Sequence, residues 1–458
     1  MKHILAILIL VAALLLLMIR NVAPDPYVYD EADYMYAASL GFAANYTDSP
    51  TLPLSEFVRT GLERGRVTTE HQSLSEQIRA SDDIVFYRHW HGPLYLDLLL
   101  PVSRLGLSER QTRTAMLAVP ALTLVILYCG CLWLMRGRVG TFAALIAAAL
   151  FLSSSAATDS TELAPHQLFA LLSVVFLFLL LKFLDTKLRI YWFGSVIAAG
   201  LAFCTLEVAF VLIGTLAVCA YVGRRPLQID LRLIGTSLGL FAGTVLIVWP
   251  AAIYKLSFVK AYLFMAYLGL FRKSPWGNEA IFDVWRHRVL DSPLEWFAVA
   301  FSLILFFRKS GGRPAYPALV SVLLMLATTA RVVTSSTRYS LLFMPALDIF
   351  AALTLAPWLA ASRGRTVFAA ALVSCGLLGM DEYREFTRSH DQDPRPPAVL
   401  TAIREHRLEN ETLAVPQEEL PMIHFYFPRM HLRGYDTPDA SVRPALHRGY
   451  PVDIEPAH

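Results

Sequence analysis

Residues 4–34, ILAILILVAALLLLMIRNVAPDPYVYDEADY, join an unbroken apolar run to a cluster of carboxylates. The apolar run, residues 4–19, is close to the length that crosses the hydrocarbon core of a bilayer as a helix. No small-residue cleavage site follows it, so an uncleaved membrane anchor is favoured over a signal peptide. Asp30, Glu31 and Asp33 come just beyond the anchor, where carboxylates are costly unless they bind a ligand or take part in chemistry.

The composition of the whole chain is typical of a membrane protein. Of its 458 residues, 55% are hydrophobic and only 17% are charged, so the chain is far more apolar than a soluble globular domain. The formal net charge of +3 is too small to indicate binding to nucleic acid. The five cysteines all lie within apolar runs, without the spacing of a disulfide framework or of a metal site.

The distribution of basic residues predicts how the chain threads the membrane. Residues 92–107 are apolar but are interrupted by Asp97, Pro101 and Arg104, so we predict an interfacial amphipathic helix there. The later short basic loops then fall on the same side as the N-terminus, which the positive-inside rule places in the cytoplasm. The sequence therefore predicts an all-α polytopic membrane protein of about eleven transmembrane helices, with an extracytoplasmic C-terminus. The predicted spans are residues 4–19, 114–135, 141–157, 166–184, 190–205, 208–222, 233–253, 294–307, 316–330, 339–360 and 366–380.

This threading divides the chain into a membrane domain and a tail. Residues 1–380 form the predicted transmembrane domain, in which residues 20–113 are a first extracytoplasmic loop with interfacial helices. Residues 381–458 are polar and proline-rich, and we predict a small extracytoplasmic α/β domain there. Its helix is expected near residues 398–406, and its strands at residues 413–415 and 423–427.

Acidic and basic side chains from distant segments share the predicted extracytoplasmic face. A carboxylate can act there as a general base toward a hydroxyl group, while cations can stabilise the charge on a departing phosphate. These residues alone indicate a site for an anionic head group and a nucleophile. They leave open a transporter or flippase for an anionic lipid, and a non-catalytic protein that binds such a lipid. The charged groups include Asp30, Glu31, Asp33, His91, Asp159, Glu162, Lys255, Arg331 and Arg338.

Several short motifs resemble those of one known family. Residues 29–34, YDEADY, resemble an Asp-Glu-x-x-Tyr motif that directly follows a first span. Residues 91–95, HGPLY, resemble a His-Pro-Pro-Leu-Tyr stretch, and residues 106–109, GLSE, resemble the start of its second span, with Arg113 following. Residues 338–345, RYSLLFMP, resemble an Arg-Tyr-x-x-x-x-x-Pro sequence that opens a late span.

In their order and spacing, these motifs resemble the C-type superfamily of integral-membrane glycosyltransferases. The similarity is to its protein O-mannosyltransferases and lipid A aminoarabinose transferases, and it covers roughly residues 1–380. It implies an inverting transfer of a sugar from a polyprenyl-phosphate carrier to an acceptor hydroxyl. Asp30 would be the general base, and Glu31 would position the acceptor or tune that base. Arg338 and His91 would hold the carrier phosphate.

The resemblance also implies further contacts with substrate. Tyr34 and Tyr339 would line the site, and residues 254–276 around Lys255 are aromatic and basic, which suits an isoprenoid chain with its phosphate at the rim. Asp159 and Glu162 lie in an outer turn where the family carries an acidic residue. They would orient donor or acceptor, or bind a divalent ion together with His166.

Four residues in and near these motifs differ from those of the family. Asp33 replaces an arginine and His91 a lysine of the aminoarabinose transferases, Gly92 replaces a proline, and Glu207 stands where several relatives have a lysine. These departures bear on the donor sugar more than on the reaction class. The expected partners are a polyprenyl-phosphate-linked sugar, membrane lipids and an acceptor that is a protein, lipid or glycan. The expected location is a bacterial inner membrane, with the active site on its extracytoplasmic face.

Overall fold

The computed structural model describes residues 2–24, 26, 27, 29–40, 91–223, 230–250, 281–308, 316–329, 337–361, 398–405, 407, 412–416, 420–427 and 429–435. Within these ranges the chain is helical, apart from one two-stranded parallel sheet. The helices before residue 224 are α1 Lys2–Ile19, α2 Tyr29–Leu40, α3 Leu94–Arg104, α4 Glu109–Met116, α5 Ala118–Leu134, α6 Gly137–Ser153, α7 Ser155–Asp159, α8 Pro165–Thr186, α9 Arg189–Phe203, a 3₁₀-helix Glu207–Ala209 and α10 Phe210–Gly223. The later elements are α11 Leu231–Val248, α12 Ile281–Asp291, α13 Pro293–Arg308, α14 Tyr316–Thr329, a 3₁₀-helix Thr337–Leu342, α15 Met344–Ala360, α16 Ala398–Glu405, β1 Thr412–Pro416, α17 Leu420–Tyr426 and β2 His431–Tyr435.

The helices have the lengths and apolar surfaces of a polytopic membrane protein. In the described part of the chain, four helices are long and apolar enough to cross a bilayer: α1, residues 109–134, α8 and α11. Helices α12 and α13 would add a fifth span as a pair bent by 97°. The predicted spans that fall on described residues are largely helical. The count of about eleven spans stays a prediction, and the span at 366–380 lies outside the described residues.

The main core forms around α8, which contacts α9 on one side and α5 on the other. Small residues allow these close approaches: a Cβ on Gly130 of α5 would lie 2.5 Å from the ring of Phe178 on α8. Helix α6 packs against α15 and α5 in the same manner. Because lipid offers no hydrophobic driving force between helices, close backbone packing holds such a bundle together. The fully buried alanines of α6 are Ala143, Ala144, Ala147 and Ala148.

Two neighbouring carboxyl groups are buried between α13 and α15, and the sequence analysis did not single them out. Glu295 and Asp348 are each 0% exposed and lie beside each other, where α13 packs against α15. Two carboxylates in contact within apolar surroundings cannot both carry a full charge, because the like charges repel and neither is solvated. This acidic pair is thus buried at the contact between α13 and α15.

A second hydrophobic cluster positions the acidic motif. Tyr27, Ala32 and Met35, in and before α2, pack against Tyr95 and Leu99 of α3. The tail completes the same cluster, and α17 lies directly against α2. Tail residues in the cluster are Val399, Leu400, Ile403, Met422, Ile423 and Met430.

The secondary structure of the tail corrects one expectation. Residues 423–427, predicted as a strand, fall in α17 and its end, and the second strand is His431–Tyr435. It pairs in parallel with β1, with Thr412 opposite His431. The aromatic run has high strand propensity, but burial of Met422 and Ile423 against α2 favours the helix, because tertiary packing overrides local propensity. The division into domains at residue 380 stays a prediction.

A tyrosine hydroxyl links the tail to two other segments. Tyr426 Oη donates to Glu109 Oε1 over 2.8 Å and accepts from the Tyr27 backbone N–H, also over 2.8 Å. The replacement Tyr426→Phe should lower the free energy of unfolding by about 1 to 2 kcal/mol, since both partners lose a hydrogen bond in a half-buried place. Thermal unfolding of the purified protein in detergent measures the change. Arg429→Ala, an exposed site in the same segment, is the control. Equal unfolding temperatures for Tyr426→Phe and wild type would contradict the proposed link.

Candidate functional site

Helix α2 presents Asp30 and Tyr34 at the surface of the bundle. These residues are four apart and therefore lie on one face, while Glu31 and Ala32 turn inward and are buried. Asp30 and Glu31 occupy the first turn of α2, where carboxylates interact favourably with the positive end of the helix dipole. The Asp30 side chain is 52% exposed. It is therefore open to a ligand.

Arg338, far away in sequence, reaches this carboxylate. Its Nη2 lies 2.8 Å from Asp30 Oδ2, and its Nη1 lies 3.6 Å from Glu162 Oε2. The guanidinium also lies over the Tyr339 ring, 5.3 Å from its centroid, which is within the range of a cation–π contact. Burial lowers the pKa of Arg338, but the surrounding Tyr339, Asp30 and Glu162 more than compensate and hold it above its usual value.

Arg338 keeps capacity for an anionic ligand. Its Nε is buried and has no hydrogen-bond partner among the described residues. Arginine offers five N–H donors in a planar fork, which matches a phosphate as well as a carboxylate. The side chain of Arg338, 22% exposed, therefore has the donor geometry that a phosphate requires.

His91 lies at the same site, directly before α3. Its Nδ1 is 2.8 Å from Glu207 Oε2, at the start of the 3₁₀-helix after α9. The Tyr34 ring packs between His91 and Tyr95, with centroid distances of 6.0 Å and 5.7 Å. The first loop, the loop after α9 and the segment before α15 thus converge on α2.

Glu31 has a different environment from Asp30. Its carboxylate accepts two hydrogen bonds from Arg113, from Nε over 2.9 Å and from Nη2 over 2.5 Å. Its Oε1 also accepts from the Leu163 N–H over 2.8 Å. Arg113 in turn donates to the Ala23 carbonyl over 2.9 Å. Both oxygens of Glu31 are therefore engaged inside the protein, and they do not join the Asp30–Arg338 pair.

The other predicted residues are spread around this centre. Asp159 Oδ1 accepts from Asn21 Nδ2 over 3.0 Å, which ties the end of α1 to the turn after α7. The buried His166 ring packs edge-on against Tyr339, with centroids 5.2 Å apart. Lys255 lies outside the described residues.

The candidate metal ligands do not share a common centre. Asp159 contacts Asn21, Glu162 lies near Arg338, and His166 packs on Tyr339. Among the residues that the structure describes, no group of three or more His, Cys, Asp or Glu side chains could hold a metal ion. The described geometry therefore gives the divalent ion no support.

Sequence reasoning missed two partners in this region. Asn21 follows α1 without any motif around it, and no signal in the sequence identifies it. Glu207 was noted as a departure from the family and as a partial candidate for a transporter charge, although a carboxylate in an apolar context is also a signal for a buried partner. Its partner could not be named, because 116 positions separate it from His91.

The Glu31–Arg113 pair allows a direct test of its structural importance. Glu31→Gln leaves the buried Arg113 without a counter-charge and should cost about 3 to 5 kcal/mol of unfolding free energy. The double variant Glu31→Leu/Arg113→Met should recover much of that loss, since it removes both charges. Thermal unfolding in detergent, arranged as a double-mutant cycle, measures the coupling.

An exposed ion pair is the control for this cycle. Arg189 and Asp230 are 3.4 Å apart with side chains about half exposed, 51% and 52%. Arg189→Ala should change stability little, because exposed pairs contribute little. If Glu31→Gln were as mild as Arg189→Ala, the buried pair would not organise the site.

Comparisons with known proteins agree with this architecture. No protein-family model and no curated protein sequence matches the chain. The fold is similar to the crystal structure of ArnT from Cupriavidus metallidurans bound to undecaprenyl phosphate, with a TM-score of 0.61 and 16% identity over 96% of this chain and 88% of that one. The apo structure of the same ArnT gives a TM-score of 0.52 and 18% identity, over 82% of this chain and 65% of that one. The chain therefore has a fold similar to that of ArnT, in agreement with the resemblance of its sequence motifs.

Proposed function

We propose that this protein is an inverting glycosyltransferase that moves a sugar from a polyprenyl-phosphate carrier to an acceptor hydroxyl. The observation that carries the proposal is the contact between Asp30 and Arg338, 2.8 Å apart on an accessible surface. It places a proton acceptor and a strong anion-binding group in direct contact at one site. Transfer from a phosphate carrier needs both groups.

The proposed reaction assigns one step to each group. The acceptor oxygen forms a bond to the anomeric carbon as the bond from that carbon to the phosphate oxygen breaks. The acceptor proton passes to Asp30, and the electron pair of the broken bond stays on the departing phosphate. Arg338 and His91 stabilise that charge, because donors already in place need no rearrangement as it develops.

The surrounding residues take supporting roles. Tyr34 and Tyr339 supply aromatic walls on either side of the cationic groups, and the exposed Glu162 carboxylate can accept hydrogen bonds from sugar hydroxyls. Glu31 acts through structure, by fixing α2 against Arg113. Asp159 holds the neighbouring turn to Asn21. Lys255 stays a candidate for the carrier phosphate from the sequence alone.

The carrier and the membrane location are also part of the proposal. The ArnT structure with the similar fold is bound to undecaprenyl phosphate, which supports a polyprenyl phosphate as the lipid partner. The positive-inside distribution of the loops supports a cytoplasmic N-terminus, with the site and the tail on the extracytoplasmic face. The acceptor hydroxyl belongs to a protein, a lipid or a glycan of the cell envelope.

The variant Asp30→Asn tests the assignment of the base. The amide keeps the shape of the carboxylate but cannot take a proton, so transfer should fall by about 10²- to 10⁴-fold while the lipid still binds. The assay uses protein in lipid nanodiscs, a panel of radiolabelled polyprenyl-phosphate sugars and a membrane extract as acceptor. Asp185→Asn, at an exposed carboxylate near the end of α8, is the matched control.

The outcomes of this assay separate the competing functions. Label that enters a new product with wild type and Asp185→Asn, but not with Asp30→Asn, supports the enzyme and identifies the donor. Normal turnover by Asp30→Asn would remove Asp30 as the base. Binding of the donors without any product, in wild type as well, would favour a transporter or a non-catalytic lipid binder.

A further inference from the structure

Glu207 has no role in the reaction described above, yet it occupies a place next to the proposed phosphate site. Its Oε2 lies 2.8 Å from His91 Nδ1, and both side chains are largely buried, with 15% and 19% exposed. A charged carboxylate is costly at such a place unless its partner carries the opposite charge. The pairing with Glu207 therefore bears on the protonation state of His91.

The backbone holds the two residues together. The Leu94 N–H donates to the Cys204 carbonyl over 3.0 Å, which joins the start of α3 to the end of α9. A Cβ on Gly92 would lie only 2.1 Å from that same carbonyl oxygen, so a residue with a side chain cannot fit without a backbone shift. Gly92 thus permits the contact that sets His91 opposite Glu207. The contact also accounts for the departure from the family motif at position 92.

The groups around His91 come from several elements. Glu207 and Asp30 are negative, Arg338 is positive, and Tyr34 and His166 are neutral or titratable neighbours. Burial lowers the pKa of His91, but the charge and the hydrogen bond of Glu207, aided by Asp30, outweigh burial and Arg338, so the pKa lies above its ordinary value. Burial and the nearby Asp30 hold the pKa of Tyr34 well above its usual range, so Tyr34 does not titrate near neutral pH.

We propose that Glu207 is a positioning residue that keeps His91 in its imidazolium form, so that His91 serves as a cationic donor to the phosphate of the polyprenyl carrier. This inference rests on the glycosyltransferase function proposed above. In that form Nδ1–H donates to Glu207, and Nε2–H is the second donor of the ring. A lysine at this position would be charged at any physiological pH. The charge of His91 instead depends on Glu207 and on pH.

Binding of a phosphodiester next to His91 should depend on pH. A histidine with a raised pKa is cationic below that pKa and loses its charge as the pH rises through it. Binding of a phosphodiester should therefore weaken on the alkaline side, with a midpoint above 6.5, the ordinary value for histidine. A phosphodiester has no group that titrates in this range, so the change would belong to the protein.

The test measures binding of radiolabelled undecaprenyl methyl phosphate to the full-length protein in nanodiscs between pH 6 and 9. This probe has the lipid and the phosphodiester but no sugar, so it does not depend on the identity of the donor. Wild type should lose affinity by roughly tenfold across the range, the size expected for one charge-assisted hydrogen bond. Glu207→Gln should move the midpoint to lower pH, because the amide cannot stabilise the imidazolium. His91→Lys should bind with little change over the same range.

Each outcome has a defined meaning. If wild type does not bind the probe at any pH, the proposed lipid-carrier function fails along with this inference. If wild type binds but shows no transition, or if Glu207→Gln keeps the wild-type midpoint, only the role of Glu207 is overturned. A transition that persists in His91→Lys would assign it to another group of the protein and overturn the proposal. The wild-type profile needs no variant, so misfolding of Glu207→Gln would still leave the proposal open to refutation.

Discussion

The buried ion pair between Glu31 and Arg113 is the constraint on which the rest of the site depends. It fixes the inward face of α2, and Leu163 and Ala23 bind to the same pair, so three separate segments are held at one point. Because Glu31 is engaged inside, the next face of the helix, with Asp30 and Tyr34, is presented outward in a single orientation. The two adjacent carboxylates thus have different roles: Glu31 stabilises the packing of α2, and Asp30 faces the ligand.

The balance of charge around Arg338 explains why so many ionisable groups coexist at a largely apolar bundle. One guanidinium serves two carboxylates, and a second cation, His91, has its own carboxylate in Glu207. Each cation has a carboxylate partner before any substrate arrives, which lowers the cost of keeping these groups partly buried. A phosphate that enters then competes for donors that are already aligned. The free energy needed to orient these donors is therefore spent during folding and not during binding.

Much of this site could be predicted from the sequence, because motif positions and loop charges depend on local features. The juxtaposition of Asp30, His91 and Arg338 followed from their common predicted face and from family motifs. The separate fate of Glu31 could not be predicted, since adjacent helical residues differ by 100° in direction and only the position of Arg113 decides which one is buried. The Glu295–Asp348 pair was missed for a related reason: each acid is a single polar residue in an apolar run, and only packing makes them neighbours. Residues 423–427 were predicted as a strand because their aromatic side chains favour a strand locally, but residues 423–426 belong to the helix Leu420–Tyr426.

The packing of α17 against α2 bears on how the protein matures in the cell. Helix α2 is synthesised well before the segment that covers it, since 399 positions separate Tyr27 from Tyr426. During synthesis the packing of the acidic motif therefore stays incomplete until the intervening membrane helices have been inserted. The final packing around α2 is reached only after α17 has been synthesised. A polypeptide interrupted before α17 would leave the apolar surface of α2 uncovered, and such surfaces are targets of cellular proteases.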